Sequence, residues 1–100
     1  MALRKVVEDF IELGPLPDSS AATEEDLDRR EALLRAIAAP VSDEEAVALH
    51  GSFGPDGCYG LAWSLLHLVE TAPGRPRPSE STFQRSEWLR STWTDRRGPP

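Results

Sequence analysis

Apolar positions recur along this chain at helical spacing, and prolines fall only between the segments that show it. Leu3, Val6, Val7, Phe10 and Ile11 follow the i, i+3, i+4, i+7, i+8 pattern and predict a helix over residues 2–13. Gly14 suits the left-handed position that closes a helix, and Pro15 forbids its continuation. Residues 15–22 read as a loop. A second helix is expected over 24–39, with Thr23 as its N-cap and Glu24, Glu25 and Asp26 facing the positive end of its dipole. Leu27, Leu34, Ile37 and Ala38 make its buried face, Leu33 lies at the margin, and Asp28, Arg29, Arg30, Glu31 and Arg35 cover the rest.

A short third helix, 43–50, opens with Ser42-Asp43-Glu44-Glu45, a capping box in which Ser and the Glu three residues on satisfy each other's free backbone N–H groups. Ala46, Val47 and Leu49 supply its apolar side, and Gly51 ends it. The fourth helix, about 57–71, is apolar around most of its circumference and is therefore expected to be packed on several sides. Its one polar stripe is Gly60, Ser64, His67 and Thr71. A glycine inside a helix is costly unless another backbone comes close to it.

The Pro-Gly-Arg-Pro-Arg-Pro run at 73–78 cannot be helical and reads as an extended linker. Beyond it, Ser81-Thr82-Phe83-Gln84 offers a second capping box and suggests a helix over 82–95. The apolar residues Phe83, Trp88, Leu89 and Trp93 share no clean helical face, however, and the Thr and Trp content would also suit a strand. The pattern as a whole predicts an all-α fold, a small bundle of four to five helices around the apolar helix at 57–71. Its expected organisation is a helical core at 1–72, a Pro/Arg-rich linker at 73–80, a C-terminal arm at 81–95 and a frayed tail at 96–100.

A chain of 100 residues is one domain, able to bury roughly 65% of its unfolded surface. At the N-terminus acidic residues arrive before any apolar run, unlike a secretory signal, and the apolar stretch 61–69 is too short to span a bilayer. The single cysteine, Cys58, excludes an intramolecular disulfide, and all of this fits a cytoplasmic protein. The net charge of −6 is uneven: residues 1–50 hold twelve acids against five bases, residues 51–100 five against six. Such a chain would repel nucleic acid and attract a basic protein, although acidity also serves solubility alone.

Glycines at 51, 54, 57 and 60 precede the fourth helix, but their spacing is not that of a nucleotide-binding loop, and they read as a tight turn. Cys58 would sit in the first turn of that helix, where the dipole lowers a thiol pKa. His50 and His67 are the available bases, and His67 lies nine residues along, about 13 Å away by helical rise. A buried, inert Cys58 is the commoner arrangement, as is a His67 that bonds a neighbouring helix. One cysteine and two scattered histidines do not make a zinc site, and no cofactor motif is present. The acids cluster at two helix starts, where capping and solvation explain them, but they could join into one acidic surface. Arg85, Arg90, Arg96 and Arg97 interleave with Phe83, Trp88 and Trp93, a composition for core packing, protein contact or, last, single-stranded nucleic acid.

The run from Phe53-Gly54-Pro55-Asp56-Gly57-Cys58 through Leu68-Val69-Glu70 resembles a group of small acidic helical proteins of GC-rich bacteria. In size, acidity and lack of catalytic motifs the chain is also similar, in a general way, to immunity proteins of bacterial toxin systems. The resemblance implies no residue roles. The expected function is a non-catalytic protein-binding module, an inhibitor or immunity-type protein that meets a basic protein partner. The expected contacts are Glu24, Glu25, Asp28, Asp43, Glu44, Trp88 and Trp93, without nucleic acid, membrane, metal or cofactor. A homo-oligomer is compatible with this reading. The alternatives are a regulatory or scaffolding domain that assembles through the tryptophan-bearing arm, and a small enzyme using Cys58 or His67.

Overall fold

The computed structural model describes residues 3–97, and the expected helix start at Ala2 and the last three residues of the tail lie outside them. The fold is all-α, a small bundle: α1 (Lys5–Glu12), α2 (Glu24–Ala36), α3 (Asp43–His50), α4 (Leu61–Val69), α5 (Glu80–Arg85) and α6 (Glu87–Arg97). Among the described residues no helix is long and apolar enough to cross a membrane. The core is one cluster to which every helix contributes, from Val7 and Phe10 of α1 to Leu89 and Trp93 of α6.

Local capping chemistry sets several boundaries where the sequence places them. Thr23 accepts the Asp26 N–H at 3.1 Å, and Ser42 and Glu45 form the full capping box of α3. Gly14 takes φ +84° just beyond α1. Its carbonyl and that of Leu13 accept hydrogen bonds from Arg30, at 2.9 Å each, while Arg30 Nε donates to Asp26 at 2.8 Å. Arg30 is thus buried between α1 and α2, not on the outer face expected of it. Its guanidinium satisfies carbonyls that the end of α1 leaves without an intrahelical partner.

Helix α2 ends at Ala36, three residues before the expected stop. Ile37 is already extended, and the Ala39–Pro40 peptide is cis. The residue before a proline is disfavoured in α geometry, which shortens the helix and leaves Ala38 exposed instead of buried. Larger corrections concern α4. It begins at Leu61, because residues 58–60 form a tight turn with left-handed backbone at Cys58 (φ 47°), Tyr59 (φ 54°) and Gly60 (φ 93°). Asp56 holds this turn, accepting the Cys58 N–H at 2.9 Å and the Ser19 N–H and hydroxyl at 3.1 Å each. Gly60 therefore serves backbone conformation, since nothing approaches the position a Cβ would take. Its close-approach role belongs to Gly54, where a Cβ would collide with the Leu16 backbone.

The C-terminal segment is helical, and it is two helices rather than one. Ser79, not Ser81, caps α5, accepting the Thr82 N–H. Ser86 interrupts the run: its Oγ accepts the Leu89 N–H at 3.2 Å to start α6 and donates to the Gly54 carbonyl at 2.7 Å. That break explains why Phe83, Leu89 and Trp93 share no single helical face and yet are all buried.

Candidate functional site

Helices α1 and α3 are joined at their N-terminal ends by one buried carboxylate. Glu45, in the first turn of α3, accepts hydrogen bonds from Arg4 N–H (3.0 Å), Arg4 Nε (2.9 Å) and Arg4 Nη2 (3.0 Å). Its capping bond from the Ser42 N–H adds another at 3.0 Å. The Arg4 guanidinium, with the Ser42 and Arg4 backbone N–H groups, outweighs desolvation and holds the Glu45 carboxyl down at about 2. Two residues earlier, Asp43 accepts the Gly74 N–H at 2.8 Å and pins the turn after α4 to the start of α3.

This clamp leaves an open groove of about 580 Å³ between α1 and α3, lined by Leu3, Glu8, Asp43, Glu44, Val47 and Ala48. Val47 is 55% exposed, an aliphatic side chain on the floor of a groove whose rim is three carboxylates. Among the described residues no cation lies within ion-pairing distance of Glu8 or Glu44, whereas Glu45, Asp9, Asp26 and Glu31 are each paired. The groove is therefore apolar at its centre and negative at its edge.

Of the residues marked in the sequence, Asp43 and Glu44 line this groove, and Glu24, Glu25 and Asp28 do not. The latter three are exposed at the start of α2, which Arg30 ties to the C-terminal end of α1. Arg30 and the Arg4–Glu45 pair thus tie α2 and α3 to opposite ends of α1, a helix of 8 residues and about 12 Å. Trp93 is buried against Phe83, ring centroids 6.2 Å apart. Trp88 is half-buried, stacked on Phe53 (5.8 Å) and edge-on to Trp63 (5.4 Å). With Trp63 and Tyr59 exposed, Trp88 belongs to an aromatic ledge at the start of α4.

His67, Ser64 and Thr71 line a second groove, about 400 Å³, across from Glu31 and Arg35 of α2. Thr71 is engaged there, accepting the Val41 N–H at 3.0 Å and donating to the Leu68 carbonyl at 2.6 Å. Cys58 is fully buried in the turn before α4, not in a first helical turn. Burial and the nearby Asp56 carboxylate push its thiol pKa up, away from the nucleophilic thiolate. Among the described residues no group of three or more His, Cys, Asp or Glu could hold a metal ion. Three features went unnoticed in the sequence: Glu8 and Val47 as groove residues, and the Arg4–Glu45 clamp that shapes the groove. Comparison with protein-family models, with curated proteins and with solved structures gave no match.

Proposed function

We propose that this protein is a non-catalytic binding module, an inhibitor or immunity-type protein that takes a basic amphipathic segment of a protein partner into the α1–α3 groove. The observation that carries this reading is an exposed Val47 framed by Glu8, Asp43 and Glu44. Apolar residues of the partner would cover Leu3, Val47 and Ala48, and its Lys or Arg side chains would meet the carboxylate rim. Charge complementarity of this kind acts chiefly on encounter rate and partner choice. The −6 net charge, concentrated in the first half of the chain, would extend the attraction beyond contact.

The test starts with the full chain as bait in its native cell and proceeds to association kinetics with the captured partner. A basic partner is expected, with an on-rate that falls steeply as salt rises and an off-rate that changes less. Glu8→Lys with Glu44→Lys should slow association by about tenfold or more. Asp43 is left intact because it holds Gly74. A parallel reversal at Glu24, Glu25 and Asp28 asks whether the far end of α1 also steers. Thermal melts accompany each variant, since charges at helix starts carry about 0.3–1 kcal/mol apiece. A wild-type, salt-insensitive on-rate in the Glu8/Glu44 variant would refute the groove reading.

The aromatic ledge favours a second reading, a scaffolding domain that assembles through Trp88 of the arm together with Trp63, which is 43% exposed. Trp63→Ser should then abolish association, while the Glu8/Glu44 variant should associate as the wild type does.

A further inference from the structure

We propose that the turn after α4 of a second copy of this chain docks in the α1–α3 groove, so that two copies cover each other's grooves. The proposal rests on the reading of that groove as a docking site for basic segments, and it names one such segment. Residues 73–76, Pro-Gly-Arg-Pro, carry one cation between two proline rings and no acid. Pro73 and Arg75 are exposed, and Pro76 is half-buried. The groove offers the complement: Val47 exposed at its centre, Leu3 and Ala48 beside it, and the carboxylates of Glu8, Asp43 and Glu44 at its rim.

The backbone of this turn is fixed before anything docks. The Arg75 N–H donates to the carbonyl of the buried Ala72 at 3.1 Å, and the Gly74 N–H donates to Asp43 at 2.8 Å. Held by these ties, Arg75 takes φ 45°, left-handed backbone that residues other than glycine rarely adopt. A segment already ordered loses little freedom on docking. Two residues on, Arg77 lies over the Phe83 ring, 5.0 Å from its centroid. Arg75, by contrast, has no acid within ion-pairing distance among the described residues, although its neighbour Gly74 touches a carboxylate of the rim. The chain thus carries an unpaired arginine beside a groove whose Glu8 and Glu44 are also outside ion-pairing distance of a cation, and it does not use one to satisfy the other.

Their adjacency selects the symmetry of the pair. A two-fold axis near the Asp43–Gly74 contact carries Arg75 of each copy toward Glu8 and Glu44 of the other, and the same contact forms twice. The guanidinium then meets carboxylates in the geometry it binds best, and the rings of Pro73 and Pro76 cover Val47. A basic segment of another protein competes for the same carboxylates. Self-docking therefore keeps the groove covered until such a segment displaces the second copy.

Sedimentation velocity of the full chain from about 10 µM to about 1 mM, the range in which small interfaces associate, tests the proposal. The wild type is expected to pass from monomer to dimer across it. Arg75→Glu makes turn and groove both negative, and Glu8→Lys with Glu44→Lys makes both positive, so each variant alone should stay monomeric. An equimolar mixture of the two restores opposite charges at both contacts and should dimerise. Bulk repulsion does not imitate this pattern, because the lysine variant has the smallest net charge of the three and would self-associate most readily. Arg75→Gly suits the left-handed backbone and keeps the turn, so it should weaken self-association about tenfold or more without loss of fold. A wild type that is monomeric throughout, a dimer that survives both reversals or Arg75→Gly, or a mixture of folded variants that stays monomeric would overturn self-docking. Partner capture separates this outcome from failure of the groove reading. A monomeric wild type whose Glu8/Glu44 variant loses the basic partner removes only the second copy, whereas capture undiminished in that variant removes the groove itself.

Discussion

Glu45→Gln removes one negative charge from a side chain that accepts three hydrogen bonds from Arg4 and one from Ser42. The amide keeps the shape of the carboxylate and its oxygen can still cap α3, but its NH2 faces the Arg4 N–H and Nε that the other carboxylate oxygen accepted, so the variant removes the charge together with those two acceptor contacts. A carboxyl that titrates near 2 in the folded chain and near 4.5 otherwise corresponds to about 3 kcal/mol of stability at neutral pH. The Arg4 side chain is 41% exposed, so water screens part of this and about 2–3 kcal/mol is the expected loss. Because the folded pKa is the lower of the two, the contribution is fully present above pH 4.5 and fades as pH falls toward 2. Urea melts of wild type and variant at pH 7, pH 4 and pH 2.5 give the measurement. The gap between them should shrink from about 2–3 kcal/mol at neutral pH to less than about 1 kcal/mol at the acid end. Other carboxylates titrate in both proteins and cancel in the difference. A gap that stays constant across this range would mean that the Arg4–Glu45 contact is a shape constraint and not a charge clamp.

Leu66→Ala should cost roughly 2–5 kcal/mol in urea melts, because Leu66 has no exposed surface and its loss leaves a cavity beneath α4; less than about 1 kcal/mol would show that the site collapses freely. Arg30→Met should lose about 2–3 kcal/mol by the same measurement, since the carbonyls of Leu13 and Gly14 and the carboxylate of Asp26 lose a shared buried donor. The two glycine roles separate in thermal melts. Gly54→Ala should be the more damaging, forcing the Leu16 backbone to move, whereas Gly60→Ala should cost only about 1 kcal/mol for a left-handed alanine in open space.

Local chemistry was legible in the sequence, and long-range contacts that override it were not. The caps at Thr23 and Ser42 involve groups three residues apart, and the structure reproduces both. The start of α4 is decided elsewhere. Asp56 draws Ser19 and the Cys58 N–H to itself, and Tyr59 donates its hydroxyl to the Ser19 carbonyl at 3.0 Å. Those bonds stabilise left-handed backbone at residues whose helical periodicity would otherwise continue α4 backward by a turn. Ser86 is an intermediate case. Ser86-Glu87-Trp88-Leu89 carries an N-cap signal of its own, but its effect as a helix break depends on the Gly54 carbonyl that the hydroxyl reaches.

The α1–α3 groove shows how a surface site can be written in the sequence as an exception rather than as a motif. Glu45, Ala46, Leu49 and His50 supply the buried face of α3. At 100° per residue, Val47 falls about 130° from the middle of that face, among the polar positions. An apolar residue in that register does not serve the core, and a core-directed reading of helix 43–50 assigned it there only because it is valine. Asp43 and Glu44 stood out as a capping cluster, but Glu8 did not, since it belongs to a helix recognised by its apolar stripe. What joins them is Arg4, which spends its charge on the buried Glu45 and so leaves Glu8 and Glu44 outside ion-pairing distance of any cation among the described residues, Lys5 acting on Glu8 only from farther off. The most buried acid of α3 thus takes the nearby arginine, and the exposed acids around Val47 keep their charge for whatever approaches from outside.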